Sequence, residues 1–148
     1  MRSFLLCLLL AVAASAGPIE IQPRPKAQGY TFNANGDWKM VTPNAYHKQN
    51  EKRPEDGDYP ESIGGTAEYE KNAGQLVDML KMVGGSEYEE VKLGTLRALV
   101  VRGKTEFHIY SGIGTTKIII GYSDGRDSLD RTSYEPLLNE VLSSFKMK

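Results

Sequence analysis

Three closely spaced segments of β-branched and aromatic residues restrict the fold of this 148-residue chain more than any other feature. The segments are RALVVR (97–102), TEFHIYS (105–111) and TTKIIIGY (115–122). Such residues favour strands, and only two or three residues that include glycine separate one segment from the next. Connections this short are typical of tight antiparallel hairpins. The sequence therefore predicts an antiparallel meander, to which a weaker strand at 88–93 adds a fourth member.

The middle segment indicates which face of this sheet is buried. The apolar Phe107 and Ile109 alternate with Glu106, His108 and Tyr110, and successive side chains of a strand point to opposite faces. This alternation is typical of a sheet with one face packed on helices. We therefore expect His108 and Tyr110 on the outer face.

Two segments with helical spacing of apolar residues flank the meander. The first is predicted over Ala67–Val83, because Thr66 can accept the free N–H groups at its start and Gly84-Gly85 can end it. The second follows Ser133, which we expect to cap it, and carries Pro136 in its first turn. We expect both helices to cover the meander in one main core, formed by their apolar stripes: Leu76, Leu80, Leu138, Val141, Leu142 and Phe145.

The residues before the first helix are predicted to form a hairpin and a long loop. Tyr30–Phe32 and Trp38–Val41 have short strand patterns on either side of the turn residues Asn35-Gly36-Asp37. We expect Trp38 to fill the core beneath the sheet. The polar stretch Asn44–Thr66 is interpreted as one loop, and loops of this length are usually functional or mobile.

Residues 17–28 contain three prolines and are predicted to be an extended leader that contributes little to a core. Within it, Ile19 and Ile21 have the spacing of an edge strand. We expect a single α+β domain over residues 29–148, with an antiparallel sheet made of the hairpin and a meander of three to four strands, and with two amphipathic helices. Helices that flank a run of adjacent strands favour this class over a parallel βαβ sheet.

Residues 1–16 have the pattern of a secretory signal peptide. Arg2 supplies a positive start, residues 4–14 are an uncharged apolar run, and Ala14-Ser15-Ala16 has the small side chains that signal peptidase requires. The run is shorter than the roughly 20 apolar residues of a membrane-spanning helix. We therefore expect cleavage after Ala16, a secreted or periplasmic location and no membrane anchor.

Composition and motifs argue against several functional classes. The net charge of -1 and the pI near 6.1 provide no electrostatic basis for binding a nucleic acid or an anionic membrane. The one cysteine, Cys7, lies in the signal segment, so no disulfide and no cysteine-based zinc site is expected in the mature chain. The sequence has no G-x-S-x-G or H-E-x-x-H motif. No cofactor and no metal site is predicted.

Five residues are candidates for a binding surface. Tyr46, His47 and Tyr59 belong to the polar loop, and His108 and Tyr110 lie on the expected outer face of the meander. Aromatic residues among polar neighbours are typical of surfaces that bind proteins. The predicted function is a secreted or periplasmic, non-enzymatic binding or accessory domain with a protein partner.

An enzymatic function is the alternative. His47, His108 and the carboxylates of the polar loop are the groups that a small hydrolase or a metal-dependent enzyme would use, provided that the fold brings them together. Exposed histidines are more often ordinary surface residues, so the binding function is preferred.

Two segments resemble the Mog1/PsbP-like family, which includes extrinsic proteins of photosystem II and small exported bacterial proteins. GYTFNANGDW (29–38) is similar to the opening strand, turn and tryptophan of that family, and YEPLLNEVLSSFK (134–146) is similar to its closing helix. With the meander, the resemblance covers most of the mature chain, although the segment after Trp38 is short and polar for that family. The resemblance implies an α+β accessory or binding domain and no catalytic residue.

Overall fold

Two antiparallel sheets and two α-helices make up the computed structural model, which describes residues 17–48, 60–84, 87–125 and 134–148. The predicted α+β class is confirmed. The strands within these ranges are β1 (Ile19–Ile21), β2 (Tyr30–Phe32), β3 (Trp38–Thr42), β4 (Ala45–Lys48), β5 (Ser62–Tyr69), β6 (Glu89–Leu93), β7 (Leu96–Arg102), β8 (Glu106–Ile113), β9 (Thr116–Ser123) and β10 (Lys146–Met147).

The helices are short. Helix α1 spans Leu76–Gly84 and follows a 3-10 turn at Ala73–Gln75, and helix α2 spans Glu135–Ser144 with Pro136 in its first turn. In the ranges that the structure describes, no helix is long and apolar enough to cross a membrane. The predicted signal peptide at residues 1–16 and the predicted cap at Ser133 lie outside the described residues.

The larger sheet has seven strands in the order β3-β4-β5-β9-β8-β7-β6. Strands β6 to β9 form the antiparallel meander that the sequence predicts, so that expectation is confirmed. On the other side of β9, all eight residues of Ser62–Tyr69 pair with β9. Strand β5 therefore extends the meander instead of connecting to it by a loop.

The helix predicted over Ala67–Val83 is wrong in its first part, because Ala67 to Tyr69 belong to β5. Thr66 lies within this strand and does not cap a helix. The sequence SIGGTAEY alternates buried Ile63 and Ala67 with half-exposed neighbours, but Gly64 and Gly65 interrupt the apolar pattern. Because of these small residues, the sequence does not show that every second side chain of β5 faces the core.

Two further predictions about the N-terminal half are wrong. Strands β2 and β3 do not form a hairpin, since β2 pairs with β1 and β10 while β3 pairs with β4. The predicted loop Asn44–Thr66 contains β4 and the first part of β5, and its residues 49–59 lie outside the described ranges. Pro43 and Asn44 form the turn between β3 and β4, and Asn44 adopts a left-handed conformation with φ of 65°.

The prediction that residues 17–28 contribute little to the core is also wrong. The edge strand suggested by Ile19 and Ile21 forms as β1, and both side chains are buried. The side-chain amide of Asn44 makes two hydrogen bonds with the backbone of Gln22, the residue that follows β1. Its Oδ1 accepts the Gln22 N–H at 2.7 Å, and its Nδ2 donates to the Gln22 carbonyl at 2.9 Å. This amide therefore ties β1 to the β3–β4 turn.

One face of the seven-stranded sheet, which we call the inner face, packs on the three-stranded sheet and on α2. Buried residues from all three elements form the main core, and Trp38 belongs to it as predicted. The largest fully buried side chains include Tyr30, Phe32, Phe107 and Ile120. Alternation along the strands places the remaining side chains on the opposite, outer face.

The two helices lie on opposite faces, so the prediction of one shared core is wrong. Leu138 and Val141 of α2 are buried in the main core. The segment that leads into α1 lies on the outer face, where a β-carbon at Gly112 would come within 1.9 Å of the Ala73 carbonyl oxygen. Beside it, Leu99 is fully buried on the outer face but does not belong to the main core. Val83, with which the predicted helix ends, is exposed to solvent.

The two helices should therefore respond differently to truncation. Leu138→Ala removes a fully buried side chain and should cost about 2–5 kcal/mol of unfolding free energy. Leu80 is only partly buried, so Leu80→Ala should cost less than half of that amount. Urea melts of the two variants measure the difference, and equal losses would contradict the placement of α1 on a separate, smaller core.

The contact between the two sheets provides a second test. The Tyr30 ring is fully buried, and its hydroxyl lies 2.9 Å from the Thr66 carbonyl and 3.1 Å from the Ile119 carbonyl. A β-carbon at Gly65 would stand 2.3 Å from that hydroxyl oxygen. Gly65→Ala should therefore lower the free energy of unfolding by about 2 kcal/mol or more, since overpacking forces buried groups apart.

The control for this prediction is Gly74→Ala, because a β-carbon at Gly74 meets no atom within 4 Å. It should change the unfolding free energy by about 0.5 kcal/mol or less. Combining Gly65→Ala with Tyr30→Phe should recover part of the loss, since the hydroxyl is then absent. A Gly65→Ala variant as stable as the parent would show that the sheets do not meet in this way.

Candidate functional site

Cross-strand pairing places three of the five candidate residues on the outer face of the seven-stranded sheet. His47 pairs with Ser62, and Ser62 pairs with Ser123 on the next strand. Ser123 in turn pairs with Glu106. In the next row, His108 pairs with Gly121. Paired residues of antiparallel strands project on the same face. His47, His108 and, two residues along β8, Tyr110 therefore share the outer face.

The sheet keeps the two histidines apart. His47 lies on β4 and His108 on β8, and both β5 and β9 stand between these strands. At a spacing of about 4.8 Å per strand, the two backbones are about 14 Å apart. Within the described ranges, no group of three or more His, Cys, Asp or Glu side chains is close enough to hold a metal ion. The geometry therefore brings no acid–base or metal-ligating pair together from His47 and His108.

Tyr46 has a structural role. It points to the inner face, packs against the main core and donates its hydroxyl to the Glu20 carbonyl at 3.0 Å. This bond is a further tie between β4 and β1. Tyr59 lies outside the described residues.

An aromatic row runs along the outer face. We use this name for His108, Tyr110 and Tyr88. The Tyr110 and His108 ring centroids are 6.4 Å apart with planes at 26°, and the Tyr110 and Tyr88 centroids are 6.2 Å apart with planes at 67°. All three side chains are partly exposed. The His108 ring leans across β9, since a β-carbon at Gly121 would lie 3.3 Å from its Cδ2.

Tyr88 is the member of this row that the sequence did not predict. It precedes β6, the strand with the weakest sequence pattern, and only its two-residue spacing from Glu90 indicates the outer face. Its ring occupies the space beside Gly84, where a β-carbon would come within 1.8 Å of the ring. The glycine that ends α1 therefore allows the aromatic row to continue up to the helix.

Helix α1 exposes apolar side chains on its solvent side. Met82 and Val83 are each 87% exposed and Met79 is 51% exposed. Their spacing of three and four residues places them on one side of the helix. We call these three residues the helix patch. Through Gly84 and Tyr88, the helix patch continues into the aromatic row.

Ion pairs attach α1 to the sheet beside this surface. Arg97 donates from Nε to Glu90 at 2.7 Å and from Nη2 to Asp78 at 3.0 Å, and Lys81 donates to the other oxygen of Glu90 at 2.7 Å. The hydrogen bond from Arg97, followed by that from Lys81, lowers the pKa of Glu90 from its ordinary value to about 2. All four side chains stay accessible to solvent, so salt will screen these pairs.

This cluster predicts a pH dependence for the attachment of α1. Because the pKa of Glu90 is lowered in the folded protein, its ion pairs contribute fully above its ordinary pKa of 4.5 and are lost as the pH falls towards about 2. Titration of the Glu90 carboxyl carbon by NMR should show a midpoint near 2 in the parent. In Arg97→Gln the midpoint should move up towards 4.5, and hydrogen exchange in α1 should become faster.

Lys92→Gln is the matched control, because Lys92 is an exposed cation of the same strand as Glu90. It should leave the Glu90 midpoint near that of the parent. A Glu90 midpoint at the ordinary carboxyl value in the parent would contradict the ion-pair cluster.

A cleft of about 420 Å³ lies at the end of β7, lined by Glu87, Glu89, Val100, Val101 and Arg102. Arg102 is engaged by two carboxylates, Glu89 at 3.0 Å and Glu135. None of the five predicted site residues lines this cleft. The candidate surface is therefore the aromatic row together with the helix patch.

Comparisons of the chain with protein-family models, with curated proteins and with solved structures found no match.

Proposed function

We propose that the protein is an exported, non-enzymatic binding or accessory domain that engages a partner protein through the aromatic row and the helix patch. The observation that carries this proposal is the exposure of Met79, Met82 and Val83 side by side on α1. Contiguous apolar patches on a soluble protein mark interaction sites more often than chance.

The surroundings of the helix patch agree with a protein interface. Interfaces combine an apolar centre with a polar rim. Here the ion pairs of Arg97, Glu90 and Lys81 border the apolar side chains. Methionine side chains are flexible and polarisable, so they adapt to the shape of a partner. The aromatic row adds tyrosine and histidine next to this centre.

The exported location rests on the signal-peptide pattern of residues 1–16. A protein partner in the secreted or periplasmic space follows from that location. The non-enzymatic nature is supported by the separation of His47 and His108 on β4 and β8. No cofactor forms part of the proposal.

The Mog1/PsbP-like relationship stays a prediction. It is supported by the residues that suggested it, the strand and tryptophan in 29–38 and the closing helix in 134–146. Solving the structure of the protein and superposing it on a member of that family tests the relationship. Different strand orders in the two central sheets would contradict it.

A photocrosslinking pair tests the binding surface. A benzophenone amino acid at position 82 should give a discrete crosslinked species in the source cells, because this side chain would be buried by the partner. The same amino acid at position 40 is the control, since Met40 is 57% exposed on β3 at the far edge of the sheet. Mass spectrometry identifies the captured protein.

The captured protein must then bind the purified domain directly. Met82→Lys should weaken this binding by about tenfold or more, because it places a charge at the centre of an apolar interface. Met40→Lys should leave the affinity within about twofold of the parent, since rim or remote sites contribute little. Equal effects of the two variants, or equal crosslinking from positions 40 and 82, would contradict the proposal.

A further inference from the structure

Strand β1 lies at the edge of the three-stranded sheet, where β2 is its one hydrogen-bonded strand in the described part of the chain. Its Ile19 and Ile21 side chains are buried in the main core. With the cleavage that the sequence predicts after Ala16, only Gly17 and Pro18 precede it. The strand is therefore a short terminal arm that two core side chains hold in place.

A tight turn joins this arm to β2. The Ala27 N–H donates to the Arg24 carbonyl at 3.1 Å, which closes the turn over the two residues between them. The second of these, Lys26, has a φ of 68°, a left-handed conformation that favours glycine or asparagine at this position of a turn. The other non-glycine residue with a positive φ in the described ranges is an asparagine, Asn44. The turn is therefore strained at Lys26, and opening it releases the strain.

Hydrogen bonds on either side of the turn hold the chain to the larger sheet. Before the turn, the Arg24 N–H donates to the Ala67 carbonyl at 2.8 Å. After it, the Gln28 N–H donates to Thr116 Oγ1 at 3.0 Å. We call the three residues between these anchors, 25–27, the hinge, and all three are exposed or partly exposed. Only the hinge has to change conformation if the arm docks elsewhere.

Little holds the hinge in its closed form. Apart from the turn hydrogen bond, the contact that closes it is that of Lys26 Nζ with the Tyr69 ring, 5.6 Å from the centroid. Tyr69 is 49% exposed, and cation–π contacts at exposed sites contribute little. Pro25, the first residue of the hinge, has a fixed φ that is also suited to an extended chain. Opening the hinge therefore sacrifices few interactions.

We infer that two copies of the chain exchange their β1 arms to form a dimer at high concentration. In this dimer, each arm occupies on the partner copy the place that it occupies on its own chain here. The contacts of β1 are then kept, including the hydrogen bonds of Asn44 with Gln22, while two strained turns are released. Exchange of an identical element is a low-cost route to a dimer, and short strained hinges favour it. The inference makes no use of the partner protein proposed above.

The concentration dependence of the mass of the mature protein is the first test. The protein is unfolded in urea and refolded at about 1 µM and at about 1 mM, because mass action favours a dimer only at the higher concentration. Size-exclusion chromatography with light scattering should show a monomer in the first sample and a separable dimer in the second. A monomer in both samples would overturn the inference.

Engineered cysteines identify the strand that is exchanged. Glu20 of β1 pairs with Thr31 of β2, and the mature chain has no cysteine of its own. In the variant Glu20→Cys/Thr31→Cys, the disulfide forms within one chain in the monomer and between two chains in the exchanged dimer. The oxidised dimer fraction should therefore run as a covalent dimer on a denaturing, non-reducing gel. A dimer fraction that separates into single chains would contradict the exchange of β1.

Glu106→Cys/Ser123→Cys is the matched control, because these two residues pair across β8 and β9 within the larger sheet. Those strands are not exchanged, so the oxidised dimer fraction of this variant should separate into single chains on the same gel. Covalent dimers in equal amounts from both variants would show that the crosslinks do not report on the arm, and the inference would fail.

Removing the strain in the hinge should favour the monomer. Lys26→Gly permits the positive φ without cost, and each dimer opens two hinges, so the dimerisation constant should fall by about tenfold or more. Lys104→Gly is the matched control, at an exposed lysine between β7 and β8 whose φ is not positive. It should leave the constant within about twofold of the parent. Equal constants for the parent and Lys26→Gly would overturn the inference.

Discussion

The approach of the Tyr30 hydroxyl to the backbone at Gly65 determines how the two sheets meet. A hydroxyl buried between sheets needs an acceptor, and here two carbonyls of neighbouring strands, those of Thr66 and Ile119, supply it. Only a residue without a side chain leaves room for this contact. Once the three-stranded sheet is seated there, Ile19, Ile21 and Phe32 become core residues. The proline-rich residues 17–28, which include β1, thereby contribute to the main core.

The two faces of the larger sheet are stabilised in different ways. The inner face is covered by aliphatic and aromatic side chains from the second sheet and α2, so burial of apolar area supports it. On the outer face, α1 contributes one buried side chain, Val77, and otherwise depends on ion pairs with Arg97 and Glu90. Exposed ion pairs contribute little free energy. The helix is therefore the more weakly attached element, and the proposed binding surface lies next to it.

The sequence predicted those parts of the fold whose pattern is local. Strands β8 and β9 alternate buried and less buried residues over eight positions each, and the alternation in β8 placed His108 and Tyr110 on the outer face. The sequence did not predict strand β5, because glycines replace apolar residues in its pattern. The helix predicted after it therefore began too early, within the strand itself. Tyr46 was assigned to a surface because its strand was interpreted as a loop. Tyr88 gave no signal of its own, since its importance arises from a contact with Tyr110 across the sheet.

The pairing of β2 with β10 has a consequence for how the protein reaches its folded state. The hydrogen bond from Asn33 to Ser144 beside these strands joins residues 111 positions apart, and β10 itself pairs with Thr31 and Tyr30. Contacts between distant residues slow folding, because the loop between them must close before the contact is rewarded. During synthesis, the three-stranded sheet cannot assemble until its last strand has left the ribosome. The three-stranded sheet is therefore the part of the fold that can be completed only at the end of synthesis, after the strands of the larger sheet are already available for pairing.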